Sequence, residues 1–235
     1  GRFVLFGETV LNGINLPDSV KILNGFELPE SVKILNNNVS IEHNIKTVII
    51  PNHITEIGDY AFSKCSSITN VTIPDSVTKI GVSAFEECSS LIKVIIPNNV
   101  TKIDLATFSG CSSLTNITIP NNVNKIAKNA FSGCSSLINI TIPNSVTEIG
   151  YSAFSGCLSL ANIIIPNSVT KIGDSAFEGC SSLANIIIPN SVTEISKYAF
   201  KDCTSLNNVT IPNVIGIIGR FVLFGETVLN GINLP

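Results

Sequence analysis

A cysteine returns every twenty-three residues, at Cys65, Cys88, Cys111, Cys134, Cys157, Cys180 and Cys203. The prolines Pro51, Pro74, Pro97, Pro120, Pro143, Pro166, Pro189, Pro212 and Pro235 keep the same step. A fixed period of this length describes one supersecondary unit stacked on copies of itself. Such an array buries its core between coils rather than around one cleft. Function is therefore to be sought on a repeated surface, and a lone catalytic centre is not expected.

The coil from Leu160 to Ser182 shows how the stack is built. Leu160, Ile163 and Ile165 are spaced for a short strand with alternate residues turned inward, and Pro166 ends its ladder. Asn167-Ser168 is turn chemistry. Val169 and Ile172 point inward on the return, and Gly173 is expected to permit the next bend. Ala176, Phe177 and Cys180 share one face of a single helical turn that Asp174 or Ser175 could cap. The predicted architecture is an α/β repeat solenoid. It carries a parallel β-sheet on one face and short helical or 3-10 turns on the other, with coils about 4.8 Å apart. Phenylalanines from Phe62 to Phe200 would form a buried column.

The pattern L-x-x-I-x-I-P-x-x-V-x-x-I-G-x-x-A-F-x-x-C-x-x-L resembles the BspA-type leucine-rich repeat of bacterial and protozoan surface proteins. Seven full copies cover residues 48–212. The resemblance implies a curved leucine-rich-repeat solenoid at a cell surface or outside the cell. It implies no particular ligand, since a fold does not fix what is bound.

Residues 1–47 hold degenerate repeats with proline steps of 12 and 22 residues and no cysteine. Residues 213–235 form another degenerate repeat, and residues 219–235 duplicate residues 1–17 without a difference. The offset of 218 residues equals the total of the proline steps, so the array is expected to continue as one period of a longer tandem protein. Phe3, Phe6, Phe221, Val222, Phe224 and Val228 are the candidate end-to-end contacts. The chain begins with glycine and has no methionine, which fits a mature fragment or a slice of a longer polypeptide.

Composition removes several functions. Only 13% of residues are charged and the net charge is -3, so no electrostatic footprint for nucleic acid is present. Apolar runs stop at four or five residues, far below the ~20 needed to insert in a membrane, and no signal peptide is visible. Each coil offers one sulfur, with no C-x-x-C and no histidine beside it, so a ladder of buried free thiols is favoured over a metal site or disulfides. His43 and His53, the only histidines, have no nucleophile pattern near them and read as surface or corner residues. Glu56, Glu148 and Glu194 share a coil position with Lys79, Lys102, Lys125 and Lys171, the signature of a solvated, charge-balanced edge. Neither a cofactor nor an enzyme activity is expected.

The strand face carries the functional lead. One outward column reads Asn70, Lys93, Asn116, Asn139, Asn162, Asn185, Asn208, and the next Thr72, Ile95, Thr118, Thr141, Ile164, Ile187, Thr210. Beside them runs Thr69, Ile92, Thr115, Ile138, Ala161, Ala184, Asn207. Stacked asparagines could hydrogen-bond along the array, and the apolar stripe would mark a contact surface. β-propensity alone would also select Thr and Ile there. The expected partner is a protein or glycan bound by adhesion or recognition, or further copies of the chain joined end to end in a filament. Glycosylation sequons at Asn38, Asn70, Asn99, Asn116, Asn139 and Asn208 bear on the same surface, since glycans in the asparagine column would cover it.

Overall fold

In the computed structural model the described residues are 46–212 and 215–219, with the short strands Val10–Leu11, Ile14–Asn15 and Ile34–Leu35. The cysteine-bearing repeats form a right-through stack of parallel coils, and each coil has three sides.

The first side is a three-residue strand. Six of these, from Thr47–Ile49 to Asn162–Ile164, form one parallel sheet. Asn185–Ile187 and Asn208–Thr210 form a second sheet. Register is strict, with Asn116 opposite Asn139 and Thr118 opposite Thr141. The middle residue of each strand is buried and its two neighbours are exposed, because strand side chains alternate faces.

The second side is a two-residue strand after the proline corner. Six of them run from Lys102–Ile103 to Ile217–Ile218, and Ile34–Leu35, Glu56–Ile57 and Lys79–Ile80 make a separate ladder before them. The interruption falls between Lys79 and Lys102, and facing lysines alone do not cause it, since Lys102 and Lys125 pair in register at the next step. It also falls where Asp104 occupies a column held by Gly81, Gly150 and Gly173. A Cβ at Gly150 would lie 2.7 Å from the Ala127 carbonyl carbon, and one at Gly173 2.8 Å from that of Gly150. Gly173 therefore serves close approach between coils rather than the bend expected of it.

The third side corrects the predicted helical edge. Among the described residues there is no α or 3-10 helix. Residues such as 129–134 instead alternate their donors. The N–H groups of Ala130, Ser132 and Cys134 donate three residues back, to Ala127, Asn129 and Phe131. Those of Asn129, Phe131 and Gly133 donate to the next coil, at Tyr151 (2.9 Å), Ala153 (2.8 Å) and Ser155 (2.7 Å). Left-handed φ values at Asn129 (56°) and Gly133 (73°) turn alternate amides outward. The same two positions are left-handed in every coil from Tyr60 to Asp202. Asp174 and Ser175 are thus turn residues rather than helix caps: the Asp174 carbonyl accepts from Ser152, and Ser175 itself has φ 53°. Every second amide is spent on stacking, which a helix would not allow.

The core runs the length of the stack. Phe62, Phe85, Phe108, Phe131, Phe154, Phe177 and Phe200 stack ring on ring, with centroids 5.2 to 5.6 Å apart. Leu, Ile and Val columns fill the rest. The cysteines are free, and all but the half-buried Cys65 are buried. Each buried thiol reaches a phenylalanine carbonyl of the preceding coil, Cys134 to Phe108 at 3.2 Å and Cys88 to Phe62 at 3.0 Å. Their volume is small and their one donor is satisfied.

Val10–Leu11 pairs antiparallel with Ile14–Asn15, the strands separated by Asn12-Gly13, a hairpin signature inside what the proline steps suggested was a coil. Ile34–Leu35 pairs parallel with Glu56–Ile57 and extends the second ladder backwards. Phe3, Phe6, Phe221, Val222, Phe224 and Val228 lie outside the described residues, as do His43 and Asn38.

Candidate functional site

The outward columns of the first side sit where alternation places them. Asn70, Lys93, Asn116, Asn139, Asn162, Asn185 and Asn208 are exposed, and so are Thr72, Ile95, Thr118, Thr141, Ile164, Ile187 and Thr210. Ile164 is 77% exposed, Ile187 70% and Ile95 59%. The flanking Ile92 and Ile138 are exposed as well. Thr47 and Ile49 begin the same two columns one coil earlier, a position hidden in the sequence because that coil lacks the cysteine motif.

The expected amide ladder forms at one step among the described residues, where Asn208 Nδ2 donates to Asn185 Oδ1 at 2.6 Å. At two other coils the carboxamide turns sideways. Asn70 Nδ2 donates to Thr69 Oγ1 at 3.0 Å and Asn116 Nδ2 to Thr115 Oγ1 at 3.4 Å. The threonine hydroxyls in turn donate to the previous coil, Thr69 to Lys46 O and Thr115 to Ile92 O. Stacking therefore runs mainly through threonine and backbone. Asn99, by contrast, is fixed at a corner by donating to Asp75 O at 2.7 Å.

One step of this face is different. The N–H at the start of each strand donates to the coil before: Thr69 to Lys46 at 2.8 Å, Ile92 to Thr69 at 3.0 Å, Thr115 to Ile92 at 3.1 Å. Ile138 to Thr115 lengthens to 3.4 Å and Ala161 to Ile138 is 3.3 Å. The corresponding bond from Ala184 to Ala161 is absent, and the series resumes with Asn207 to Ala184 at 3.0 Å. The sheet divides there, between Asn162–Ile164 and Asn185–Ile187. It is also the step at which two isoleucines, Ile164 and Ile187, adjoin in the outward column. A groove of about 630 Å³ opens over it, lined by Asn, Ile, Pro and Thr side chains and by no charged residue.

The other sides look structural. Glu56 pairs with Lys79 at 3.4 Å and Lys171 with Glu194 at 3.0 Å, neighbours in ladder register. The Lys171 ammonium donates to the Glu194 carboxylate and holds it below its usual range. Burial pushes the Cys111 and Cys157 thiols up to about 12, the opposite of a reactive thiolate. His53 is half-buried at a corner with Nε2 unbonded, in the column where Ser76 and Ser168 donate to the previous coil. Among the described residues no group of three or more His, Cys, Asp or Glu converges to hold a metal. No described helix is long and apolar enough to cross a membrane.

Parallel coils, a three-residue strand in each and a core of Leu, Ile, Val and Phe columns define a leucine-rich-repeat solenoid. The BspA type leucine rich repeat region matches in 6 copies over residues 32–160 and 124–235, and the chain belongs to that family. A leucine-rich repeat protein from Bacteroides ovatus is 36% identical with a TM-score of 0.77, over 81% of this chain and 51% of that one. A leucine rich cell surface protein from Faecalibacterium prausnitzii is 28% identical (TM-score 0.51), over 82% of this chain and 64% of that one. The leucine rich repeat protein of T. pallidum is 30% identical (TM-score 0.55), over 76% and 74%. The chain thus spans about half the length of the B. ovatus protein. Comparison with curated proteins gave no match.

Proposed function

We propose that this is a non-catalytic recognition module of a cell surface, binding a protein or glycan partner through the strand face in adhesion. The observation that carries the reading is the exposed isoleucine of the outward column. Ile95, Ile164 and Ile187 contribute nothing to the core, and apolar area left in water on a rigid sheet is the usual mark of a contact surface. The likeness to a protein described as a leucine rich cell surface protein supports the location. A double substitution, Thr118→Arg with Thr141→Arg, tests it against Lys125→Glu on the charged edge. Screened against an array of extracellular proteins and glycans, ligands of the native protein should bind at least ~10-fold more weakly to the strand-face variant and normally to the edge variant. Normal binding by the strand-face variant, by the edge variant and by Ile187→Asp on the same face rejects the strand face.

A second reading, a filament subunit built by head-to-tail continuation, has its own support. Ile217–Ile218 still pairs in register with Glu194–Ile195, and Gly219 N–H donates to Ile195 O at 2.7 Å. The ladder thereby leads directly into the segment that repeats residues 1–17. Replacing Val222 or Val228 with Asp should abolish end-to-end association by light scattering while the cysteine coils stay folded. Unchanged association rejects the filament.

A further inference from the structure

We infer that the groove over the broken ladder step, between Asn162–Ile164 and Asn185–Ile187, is the anchor point of the strand face, and that it takes an uncharged, extended peptide segment with a large apolar side chain. The inference rests on the strand face being a recognition surface, and it names where on that face, and for what, the affinity is concentrated.

Three features coincide at this step and at no other along the described ladder. The first is apolar area: among the described residues Ile164 and Ile187 are the two most exposed isoleucines, and they stand side by side. The second is backbone polarity. With the Ala184 to Ala161 bond missing, one N–H and one C=O lack the coil-to-coil partner that every other step supplies. Ala161 and Ala184 immediately precede the groove-lining Asn162 and Asn185, so this open donor and acceptor adjoin the groove's edge, where they complement a peptide group, which carries one of each. The third is shape and charge. The groove of about 630 Å³ is within the range of ligand pockets, and its lining carries no formal charge. A charged ligand would lose hydration with nothing to replace it, and Lys93, the only charge in the outward columns, lies three coils away.

A neutral sugar fits less well. No aromatic ring lines the groove to receive a sugar's flat face. The Asn162 and Asn185 carboxamides, each donor and acceptor, serve a peptide backbone equally. The expected pose lays an apolar side chain between Ile164 and Ile187, with the flanking peptide groups on Asn162, Asn185 and the Ala161–Ala184 gap.

The test is an NMR titration of the ¹⁵N-labelled full chain. The probe is an acetylated, amidated pentapeptide, Gly-Ser-Phe-Ser-Gly, alongside the same peptide with Asp or Gly at its centre and a neutral glucose tetrasaccharide. The Phe peptide should move the amides of residues 161–165 and 184–188 saturably, and the Asp and Gly peptides at least ~10-fold more weakly. Ile187→Asp should abolish the shifts. Ile164→Thr with Ile187→Thr, which installs the side chain already present at Thr118 and Thr141, should weaken them without disturbing the fold. Preference for the tetrasaccharide, equal shifts along every strand, or no saturable shift at the groove overturns the inference. The two readings also separate on any ligand found by the array. Loss in the Thr118→Arg, Thr141→Arg variant but not in Ile187→Asp rejects the anchor and keeps the strand face. Loss in neither rejects both.

Discussion

The turn side and the strand side are made from the same coils, yet one is continuous and the other is split. On the turn side the bond from each phenylalanine N–H to the next coil stays between 2.7 and 2.9 Å from Phe62 to Phe177. On the strand side the equivalent series stretches from 2.8 to 3.4 Å and then fails at Ala184. The turn side has rings stacked within 7° of parallel and thiols bonded across coils, so any widening there would lose packing at every layer. The strand side has solvent on its outer face and mainly threonine and backbone bonds to hold its spacing. Coil separation is thus set at the phenylalanine column, and the strand side absorbs whatever mismatch remains.

Phe131→Ala should have the largest effect, since it opens a cavity in a column that cannot collapse: about 3–5 kcal/mol by urea denaturation. Ile164→Ala, at an exposed position on the other side, should stay within about 0.5 kcal/mol. Similar losses would mean that the two sides share the load. Alkali gives the next largest effect. The thiols ionise near 9.0 when unfolded, whereas burial raises Cys111 and Cys157 to about 12 in the folded chain. The unfolded chain therefore releases protons first, so stability is complete below pH 9 and falls as pH rises from 9 to 12. Urea midpoints should show that slope, and Cys111→Ala with Cys157→Ala should make it shallower, the other buried thiols keeping the rest. Gly133→Ala places a side chain at φ 73° and should cost about 1 kcal/mol in thermal unfolding, although the new Cβ would have ordinary clearance of 3.6 Å from Gly110. Glu194→Gln removes a half-exposed pair with Lys171 and should cost less than about 0.5 kcal/mol, an effect that shrinks in high salt.

The period made the inward positions legible. Leu160, Ile163, Val169, Ile172, Phe177 and Cys180 are all buried where spacing placed them, because equivalence across coils averages out local ambiguity. What the period concealed was backbone conformation. Ala176, Phe177 and Cys180 have helical spacing, but the left-handed residue at Ser175 breaks a helix, and serine does not announce φ 53°. Asn129 and Tyr198 hold the same conformation without glycine, so only the glycines Gly110, Gly133, Gly156 and Gly179 carried a signal. The alternating charges of the second strand suggest a solvated edge, and in the fold Lys171 opposite Glu194 is the cross-strand pairing of neighbours in a ladder. The divided sheet was beyond sequence reasoning, since it depends on tenths of an ångström accumulated over successive coils. The neighbouring pair Ile164 and Ile187 marks the place only in hindsight.

Bonds that join each residue mainly to one about 23 positions away also decide how the molecule meets force. Pulled along its axis, a stack of this kind has no distant contact to hold a coil once its neighbour has gone. Each coil that lets go frees 23 residues, about 75 Å of slack at ~3.3 Å per residue. The ladders already lack a link at Ala184 on the strand side and another between Lys79 and Lys102 on the second side, so these two steps should resist peeling least. A protein tethered at a surface would then lengthen in even steps rather than snap.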